Sequence, residues 1–283
     1  MKVGIVTDEL SNLPADIVEK FEINVVHGLV YIDDQKYVAG VEISSEEILQ
    51  VIGKKDLKTG APLPGEFFKI YEQLLDKYDI IFSIHCSKQT SAFIESAKIG
   101  AKRTRNPEKI KHMECGVAAI GLGLTVIGTA ILSKSISDIE ILEAKVSELC
   151  QKAELLGLVH SFEHLRKSGR VKLKVAGIMA SLISIKPVIF MHEGKISVVE
   201  KTFSRNKSKK RFWEKFEDQF DQDFEPKLIG INHLMSKDKI NEIITDIHEQ
   251  YPNHEIFVSK ADPMIASYTG PGLLIISFFS RYK

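Results

Sequence analysis

Residues 79–102 read DIIFSIHCSKQTSAFIESAKIGAK and contain the pattern that decides the fold class. The first part, DIIFSIH, is a mostly apolar strand without alternation of polar and apolar residues, which is typical of a parallel strand buried on both faces. A turn rich in hydroxyl groups follows, and residues 91–102 then have the pattern of a helix. A buried strand that leads directly into a helix predicts a parallel sheet covered by helices.

The same alternation of strands and helices extends along the chain in both directions. Before this segment the patterns predict strands at residues 3–6, 23–31 and 35–38 and helices at residues 13–21, 46–52 and 65–78. After it they predict strands at residues 156–160, 228–234, 255–258 and 273–279, a hairpin of residues 188–191 and 196–199, and helices at residues 138–155, 175–185, 207–220 and 237–250. We therefore expect an α/β protein of two lobes. Residues 1–155 would form an N-terminal α/β lobe whose mostly parallel sheet has helices on both faces, and residues 156–283 a C-terminal α/β lobe.

Composition and charge narrow the class of protein. Lys plus Arg and Asp plus Glu each number 38, so the net charge is zero, which disfavours binding to the phosphates of nucleic acid. The three cysteines have no CxxC spacing, which excludes a disulfide framework or a Cys₄ zinc site and favours a reducing compartment. The N-terminus also lacks the apolar run of a signal peptide. We therefore expect a cytoplasmic globular protein.

Residues 116–132, GVAAIGLGLTVIGTAIL, form a long apolar stretch without a charge. A helix that is apolar on all sides belongs either to a protein core or to a membrane. The stretch is at the lower limit for spanning a bilayer and contains four glycines and two threonines. These features favour a buried helix, and its small residues would let another backbone or a ligand approach closely.

The turn after the first quoted strand carries hydroxyl groups at Ser87 and Ser91. Ligands of open α/β sheets bind beyond the carboxyl ends of strands, and helix N-termini there favour anions. An alternative and compatible role for Ser91 is to cap its helix. A further alternative pairs Ser91 as a nucleophile with His85 as its base, although His85 at the end of a buried strand is typical of a core histidine. No GxSxG, Walker A, HExxH or GxGxxG motif is present, so the residues favour a binding protein over an enzyme.

Segments spread over almost the whole chain resemble one known family. They are IVTDELSNLP (5–14), YIDDQKY (31–37), LKTGAPLPGEFFKIYEQL (57–74), SIHCSKQTSAFIESA (83–97), GLGLTVIGTA (121–130), SFEHLRKSGRV (161–171), ISIKPVIFMHEGKISVVEKTFSRNKSKKR (183–211) and SYTGPGLLIISF (267–278). The chain is similar, through these motifs, to the DegV-like fatty-acid-binding proteins, the acyl carriers of bacterial fatty acid kinase. The resemblance implies two α/β lobes with a ligand tunnel between them, in which a long-chain fatty acid is buried.

The resemblance also implies where the ligand carboxylate is held. Hydroxyl groups of Thr59 and Ser91 would bind it, and Tyr268 and Thr269 would lie beside it. Tyr268 stands where the family has a histidine, which removes a possible cation but leaves a hydroxyl donor. The loop around Thr59 has lost two polar neighbours that the family carries, and Ala92 replaces a family glycine. We therefore expect a recognisable but altered head-group site.

Other parts of the chain would support the site or its partner. Asp8 and Ser11, in the opening motif, would shape the loop around the carboxylate rather than contact it. Residues 116–132 and 175–189 would supply the apolar wall of the tunnel, Gly123 among them. Arg170 and Arg205 would form a basic rim where the partner docks. The alternative roles for Arg170 are direct binding of the carboxylate and bracing of the turn between the lobes.

The function implied by the resemblance is carriage rather than catalysis. The chain would take a long-chain fatty acid from a transient contact with a membrane surface and present its carboxylate to a separate, dihydroxyacetone-kinase-like fatty acid kinase. The resulting acyl phosphate would enter phospholipid synthesis. Because the kinase supplies nucleotide and metal, we expect no cofactor and no metal in this chain. The alternatives are a serine-dependent acyl hydrolase or transferase that uses Ser91, and an interaction protein without a ligand.

Overall fold

The computed structural model describes residues 1–160, 162–171, 186–200 and 202–281. The helix predicted at residues 175–185, and most of the second predicted wall of the tunnel, lie outside these residues. Strands in the first half of the chain are β1 (Val3–Asp8), β2 (Asn24–Val26), β3 (Leu29–Ile32), β4 (Gln35–Val38), β5 (Leu57–Gly60), β6 (Ile80–Cys86) and β7 (Ile110–Cys115). The helices there are α1 (Ala15–Lys20), α2 (Ser45–Val51), α3 (Pro64–Leu74), α4 (Phe93–Ala101), α5 (Ala119–Leu132) and α6 (Ile139–Lys152), with single helical turns at Glu9–Ser11 and Pro107–Lys109.

The second half of the chain contains a larger sheet. Its strands are β8 (Ala153–Leu158), β9 (Val188–His192), β10 (Lys195–Glu200), β11 (Leu228–His233), β12 (Glu255–Lys260) and β13 (Leu274–Phe279). The helices are α7 (Phe162–Lys167), α8 (Arg205–Gln219), α9 (Lys237–Gln250) and α10 (Pro263–Thr269). These strands form a six-stranded sheet in the order β10-β9-β8-β13-β11-β12, in which the pair β11–β12 is parallel and the other pairs are antiparallel.

The N-terminal sheet confirms the prediction drawn from the DIIFSIH stretch. Its order is β2-β1-β6-β7, and every pairing in it is parallel. All residues of β6 are buried, as expected for a central parallel strand. A separate antiparallel sheet of order β4-β3-β5 stands beside it and carries Thr59 opposite Val30. The molecule is therefore an α/β protein with two principal sheets.

Helix α5 lies between the two principal sheets. It contacts β1 and β6 of the parallel sheet and β8, β11 and β13 of the larger sheet. Protein on both sides explains why its residues are apolar on all faces, and all but the last two are buried. The sequence prediction of a buried helix is confirmed. In the part of the chain that the structure describes, we find no helix with the length and apolar character needed to cross a membrane.

Several elements differ from the sequence prediction. The predicted helix 138–155 ends at Lys152, and β8 begins at the next residue. The sequence pattern was misleading here because Glu154, which resembles a charge on a helix surface, is buried in the sheet. The predicted strand 23–31 is divided between β2 and β3, which belong to different sheets. Edge strand β7 was missed because Lys111 and Glu114 interrupt its apolar pattern, and the short elements β5 and α10 were also missed. The division into lobes at residue 155 stays a prediction.

Candidate ligand-binding site

An apolar cavity of about 80 Å³ lies between the two halves of the chain. Its apolar walls include Leu10, Ala118, Ala119, Leu155, Ile189 and Ile265. Ala118 and Ala119 belong to the predicted wall at residues 116–132, whereas Gly123 is not among the lining residues. A Cβ atom on Gly123 would lie 2.6 Å from the backbone oxygen of Ser11, so this glycine packs against the opening loop instead. Gly123 therefore does not border this cavity, and its role in an acyl-chain wall stays a prediction.

Arg170 lies where the apolar cavity meets two polar clefts, and it borders all three. Its Nη2 atom donates a hydrogen bond to Oγ1 of Thr59 over 3.2 Å, and Nη1 donates to the backbone oxygen of Ser168 over 2.9 Å. The guanidinium carbon is 4.1 Å from the centre of the Tyr268 ring. Within the described ranges no carboxylate forms an ion pair with Arg170. A half-buried cation is thus available to an anion at the mouth of an apolar cavity.

Tyr268 supplies a second polar group at the same place. Its hydroxyl is buried and has no hydrogen-bond partner among the residues that the structure describes. Burial raises the pKa of this phenol, so it stays protonated at neutral pH and is a hydrogen-bond donor. Unpaired buried donors are rare in proteins because leaving one unpaired is costly. The hydroxyl of Tyr268 is therefore a donor without a partner in the described residues, at a place that Arg170 also borders.

Helix α10 places Tyr268 and also contains Thr269. Asp262 is the N-cap residue of this helix, and its Oδ1 atom accepts hydrogen bonds from the backbone N–H of Met264 and of Ile265 over 2.6 and 3.0 Å. The hydroxyl of Thr269 donates to the backbone oxygen of Ile265 over 2.8 Å. Its proton is thus used inside the helix. Thr269 therefore lines the cavity wall but offers no free hydroxyl proton to a ligand.

Thr59, Ser91 and Arg170 border one polar cleft of about 400 Å³. Because the hydroxyl of Thr59 accepts from Arg170, its own proton is free to bind an anion. Ser91 does not cap the helix that follows it: Ala92 is the N-cap residue, and no side chain caps this helix. The structure thus brings the two predicted hydroxyl groups to one cleft.

Asp8 and His85 form a buried polar chain below this cleft. Asp8 Oδ2 is 2.6 Å from Nδ1 of His85, and Asp8 Oδ1 accepts from the backbone N–H of Leu10 over 3.0 Å. The other ring nitrogen of His85 is 2.7 Å from Oγ of Ser83. Because both ring nitrogens are engaged and the ring is fully buried, His85 is a core histidine and is not available as a base for Ser91. Asp8 ends β1 and the buried Ser11 ends the helical turn Glu9–Ser11, and neither is among the residues that border the cleft.

The two arginines predicted to form one rim lie in different surroundings. Arg170 is half-buried inside the site, whereas Arg205 is exposed at the start of α8. Nη1 of Arg205 is 2.6 Å from Nδ1 of His160, whose ring also lies close to Gly272. Arg205 is therefore placed at the surface near the turn that follows Tyr268.

A larger polar cleft, of about 670 Å³, opens the site to solvent. Thr59, Arg170 and Tyr268 border it together with three lysines and His164. The lysines are paired with acidic side chains, Lys55 with Asp33, Lys58 with Asp56 and Lys167 with Glu163, each at 2.7 Å. In the same described segments, no three His, Cys, Asp or Glu side chains come close enough together to hold a metal ion.

The sequence analysis missed two residues near the site, Asn12 and Asp262. Asn12 accepts a hydrogen bond at Oδ1 from the backbone N–H of Asp262 over 2.9 Å and so joins the opening loop to α10. Proline at the first helical position after Asp262 was a usable signal for the start of α10. Nothing local in the sequence indicates the partner of Asn12, which is 250 residues away.

Comparisons with known proteins agree with this fold. The family model described as "Uncharacterised protein, DegV family" matches residues 2–281. A DegV domain-containing protein of Caldanaerobacter subterraneus is 25% identical over 272 residues, which are 95% of this chain and 96% of that protein. The solved structure of a DegV family protein from Thermus thermophilus, described by its fatty acid binding, has a TM-score of 0.85 and 24% identity and covers 99% of this chain and 100% of that one. DegV from Bacillus subtilis, described as a fatty acid binding protein, has a TM-score of 0.83 and 22% identity with the same coverage. This chain belongs to the DegV family.

Proposed function

We propose that the chain binds a long-chain fatty acid, with its carboxylate at Arg170 and its acyl chain in the apolar cavity. The observation that carries the proposal is the meeting of three features at one point. They are an apolar cavity, a half-buried arginine without a carboxylate partner in the described residues, and the unpartnered buried hydroxyl of Tyr268. An amphiphile with an anionic head group matches all three.

The head group would be held mainly by hydrogen bonds to a charged acceptor. Arg170, Thr59, Ser91 and Tyr268 together offer donors to a carboxylate, and hydrogen bonds to an ionised group are stronger than those between neutral groups. The fold shared with the Thermus and Bacillus proteins adds support, since both are described as fatty acid binding.

The acyl chain would supply most of the affinity. Burying one methylene group is worth roughly 0.8 kcal/mol, so a dozen contribute about 10 kcal/mol before the costs of binding. The cavity of about 80 Å³ is small beside ligand pockets, which usually measure roughly 300–1,000 Å³. The walls must therefore move apart when the acyl chain enters.

The substitution Arg170→Gln tests the head-group site. We expect it to weaken binding of palmitate by about 10- to 150-fold, the equivalent of the roughly 1.5–3 kcal/mol of a hydrogen bond to a charged group. Displacement of a fluorescent fatty acid measures the dissociation constant. Arg205→Gln is the matched control, because it removes the same charge from the surface. Equal affinity in the wild type and in Arg170→Gln would contradict the placement of the carboxylate.

We further propose that the bound carboxylate is presented to a separate fatty acid kinase of the dihydroxyacetone-kinase-like type, for acyl-phosphate formation and phospholipid synthesis. The large polar cleft beside Arg170 offers a route from solvent to the head group, and the exposed Arg205 offers a charge to an acidic partner. We also propose that the chain is cytoplasmic and makes transient contact with a membrane surface, as the family resemblance implies.

The variant Arg205→Glu tests docking of the kinase. Binding of the acid should be unchanged, whereas acyl-phosphate formation should be slower at low salt, and the difference should shrink as salt screens exposed charges. Turnover at the wild-type rate in low salt would contradict docking at Arg205. We propose no catalysis by the chain itself, and hydrolysis of p-nitrophenyl esters that is lost in Ser91→Ala would contradict this.

A further inference from the structure

A continuous chain of hydrogen bonds joins the N-terminus of α5 to the N-terminus of α10. Its side chains are Asn232 on β11, Ser259 on β12, Asn12 in the opening loop and Asp262 before α10. Asn232 and Ser259 are register partners on adjacent strands, which brings their side chains together. Both helices contribute residues to the apolar cavity, so the chain connects two of its walls.

The first link holds the start of α5. The backbone N–H of Ile120 donates to Oδ1 of Asn232 over 2.7 Å, and Asn232 is fully buried. Ala118, the N-cap residue of this helix, has no side chain that can cap it, so Asn232 performs this task from another part of the chain. Ala119, at the first helical position, has a φ of 56°, a left-handed conformation that costs an alanine energy. The surrounding contacts therefore hold this residue in place.

The middle link passes through Ser259, whose backbone oxygen also accepts from Nδ2 of Asn232 over 3.4 Å, while its hydroxyl alone reaches Asn12. Nδ2 of Asn232 donates to Oγ of Ser259 over 2.6 Å, and Ser259 donates to the backbone oxygen of Asn12 over 2.6 Å. The hydroxyl accepts from one side and donates to the other, a role that alanine cannot fill. This hydroxyl thus connects the two ends of the chain.

The last link holds the start of α10. Asn12 and Asp262 bond reciprocally: the backbone N–H of Asp262 donates to Oδ1 of Asn12, and Nδ2 of Asn12 donates to Oδ2 of Asp262. The remaining oxygen of Asp262 caps α10 at Met264 and Ile265. Each helix N-terminus therefore keeps its own cap whether or not Ser259 is present.

We propose that Ser259 is a positioning residue that holds the α5 and α10 walls closed over a bound acyl chain. This inference rests on the proposed binding of a fatty acid. The cavity is too small for a long acyl chain unless its walls separate, so the rate of exchange of the acid depends on how easily they do. Asn12, Asn232 and Asp262 are buried and Ser259 is half-buried, and a polar network with every group paired favours one geometry, because breaking it leaves polar atoms unpaired. Removing the Ser259 hydroxyl eases separation while both helix caps remain.

The test is the rate at which a bound fluorescent fatty acid is released to an excess of phosphatidylcholine vesicles. Ser259→Ala should release the acid at least tenfold faster than the wild type, and Ser259→Thr, which keeps the hydroxyl, should restore the slow rate. Ser208→Ala is the matched control, because Ser208 is a buried serine that donates to the backbone oxygen of Lys186 away from the cavity. A merely structural role for Ser259 would lower the melting temperature and leave release at the wild-type rate, and that result overturns the proposal.

Amide hydrogen exchange of the ligand-free protein separates this inference from the proposed function. Without the Ser259 hydroxyl, the amides of Ile120 and Met264 keep their acceptors, but Asn232 and Asn12 are no longer joined, so both helix starts should open more often and these amides should exchange faster. If exchange at both amides is unchanged, the chain of hydrogen bonds does not couple the starts of α5 and α10, and the proposal is overturned whatever ligand is bound. A wild-type protein that takes up no fatty acid, with faster exchange in Ser259→Ala, would instead refute the proposed ligand and leave the coupling in place.

Discussion

The substitution Tyr268→Phe should raise the stability of the ligand-free protein and weaken binding of the fatty acid. Most single substitutions lower stability, so a substitution that raises stability while it weakens ligand binding is a stringent test. The reason is that the hydroxyl of Tyr268 is buried without a partner in the described residues. Phenylalanine removes that unpaired group and retains the ring on which Arg170 is stacked.

The gain in stability and the loss of affinity both follow from the one hydroxyl that the substitution removes. Leaving a buried donor unpaired costs roughly 1–3 kcal/mol, and this amount should be recovered in the free energy of unfolding. For a protein of this length each kcal/mol corresponds to about 2–4 °C in the melting temperature. A hydrogen bond to a carboxylate is worth roughly 1.5–3 kcal/mol, so the dissociation constant should increase by about 10- to 150-fold.

The assay combines thermal unfolding of delipidated protein with displacement of a fluorescent fatty acid. Tyr71→Phe is the matched control, because the buried hydroxyl of Tyr71 is paired with Oγ of Ser83 at 2.6 Å. The control should lose stability and keep its affinity for the acid. If Tyr268→Phe is less stable than the wild type and binds the acid equally well, the hydroxyl is not a ligand-binding group.

Two further predictions concern the head group and the response to pH. Thr59→Ala and Ser91→Ala should each weaken acid binding by about 1–3 kcal/mol in the displacement assay, and a double variant that binds like the wild type would remove both residues from the site. Burial raises the pKa of Glu154 from 4.5 to about 7, so the folded state binds this proton more tightly than the unfolded state. Stability should therefore fall as the pH rises from about 4.5 to about 7, and Glu154→Gln should reduce this slope in urea unfolding curves. An identical slope in the variant would show that Glu154 does not titrate in this range.

Local sequence patterns were sufficient for most of the fold. The apolar stretch at residues 79–85 indicated β6, and the uncharged stretch at residues 116–132 indicated a buried helix, because both patterns result directly from burial. Strand β7 escaped because polar residues at a sheet edge weaken the apolar pattern. Helix α10 was missed although Pro263 directly after Asp262 is a signal for a helix start.

The candidate site was less predictable because its contacts join distant parts of the chain. Thr59 and Ser91 were found from motifs, but the hydrogen bond between Thr59 and Arg170 spans 111 residues. No local pattern shows that Arg170 lies inside the site while Arg205 lies at the surface. The unpaired hydroxyl of Tyr268 likewise depends on which groups surround it in space.

Native mass spectrometry of the purified protein tests the central claim most directly. The wild type should carry a co-purifying adduct of about 250–290 Da, the mass of an acyl chain long enough to repay its burial at roughly 0.8 kcal/mol per methylene. Organic extraction should release it as a free fatty acid, and Arg170→Gln should lose most of it during the same purification. A wild-type protein that is free of adduct, and that takes up no fatty acid when the acid is added, would contradict the account.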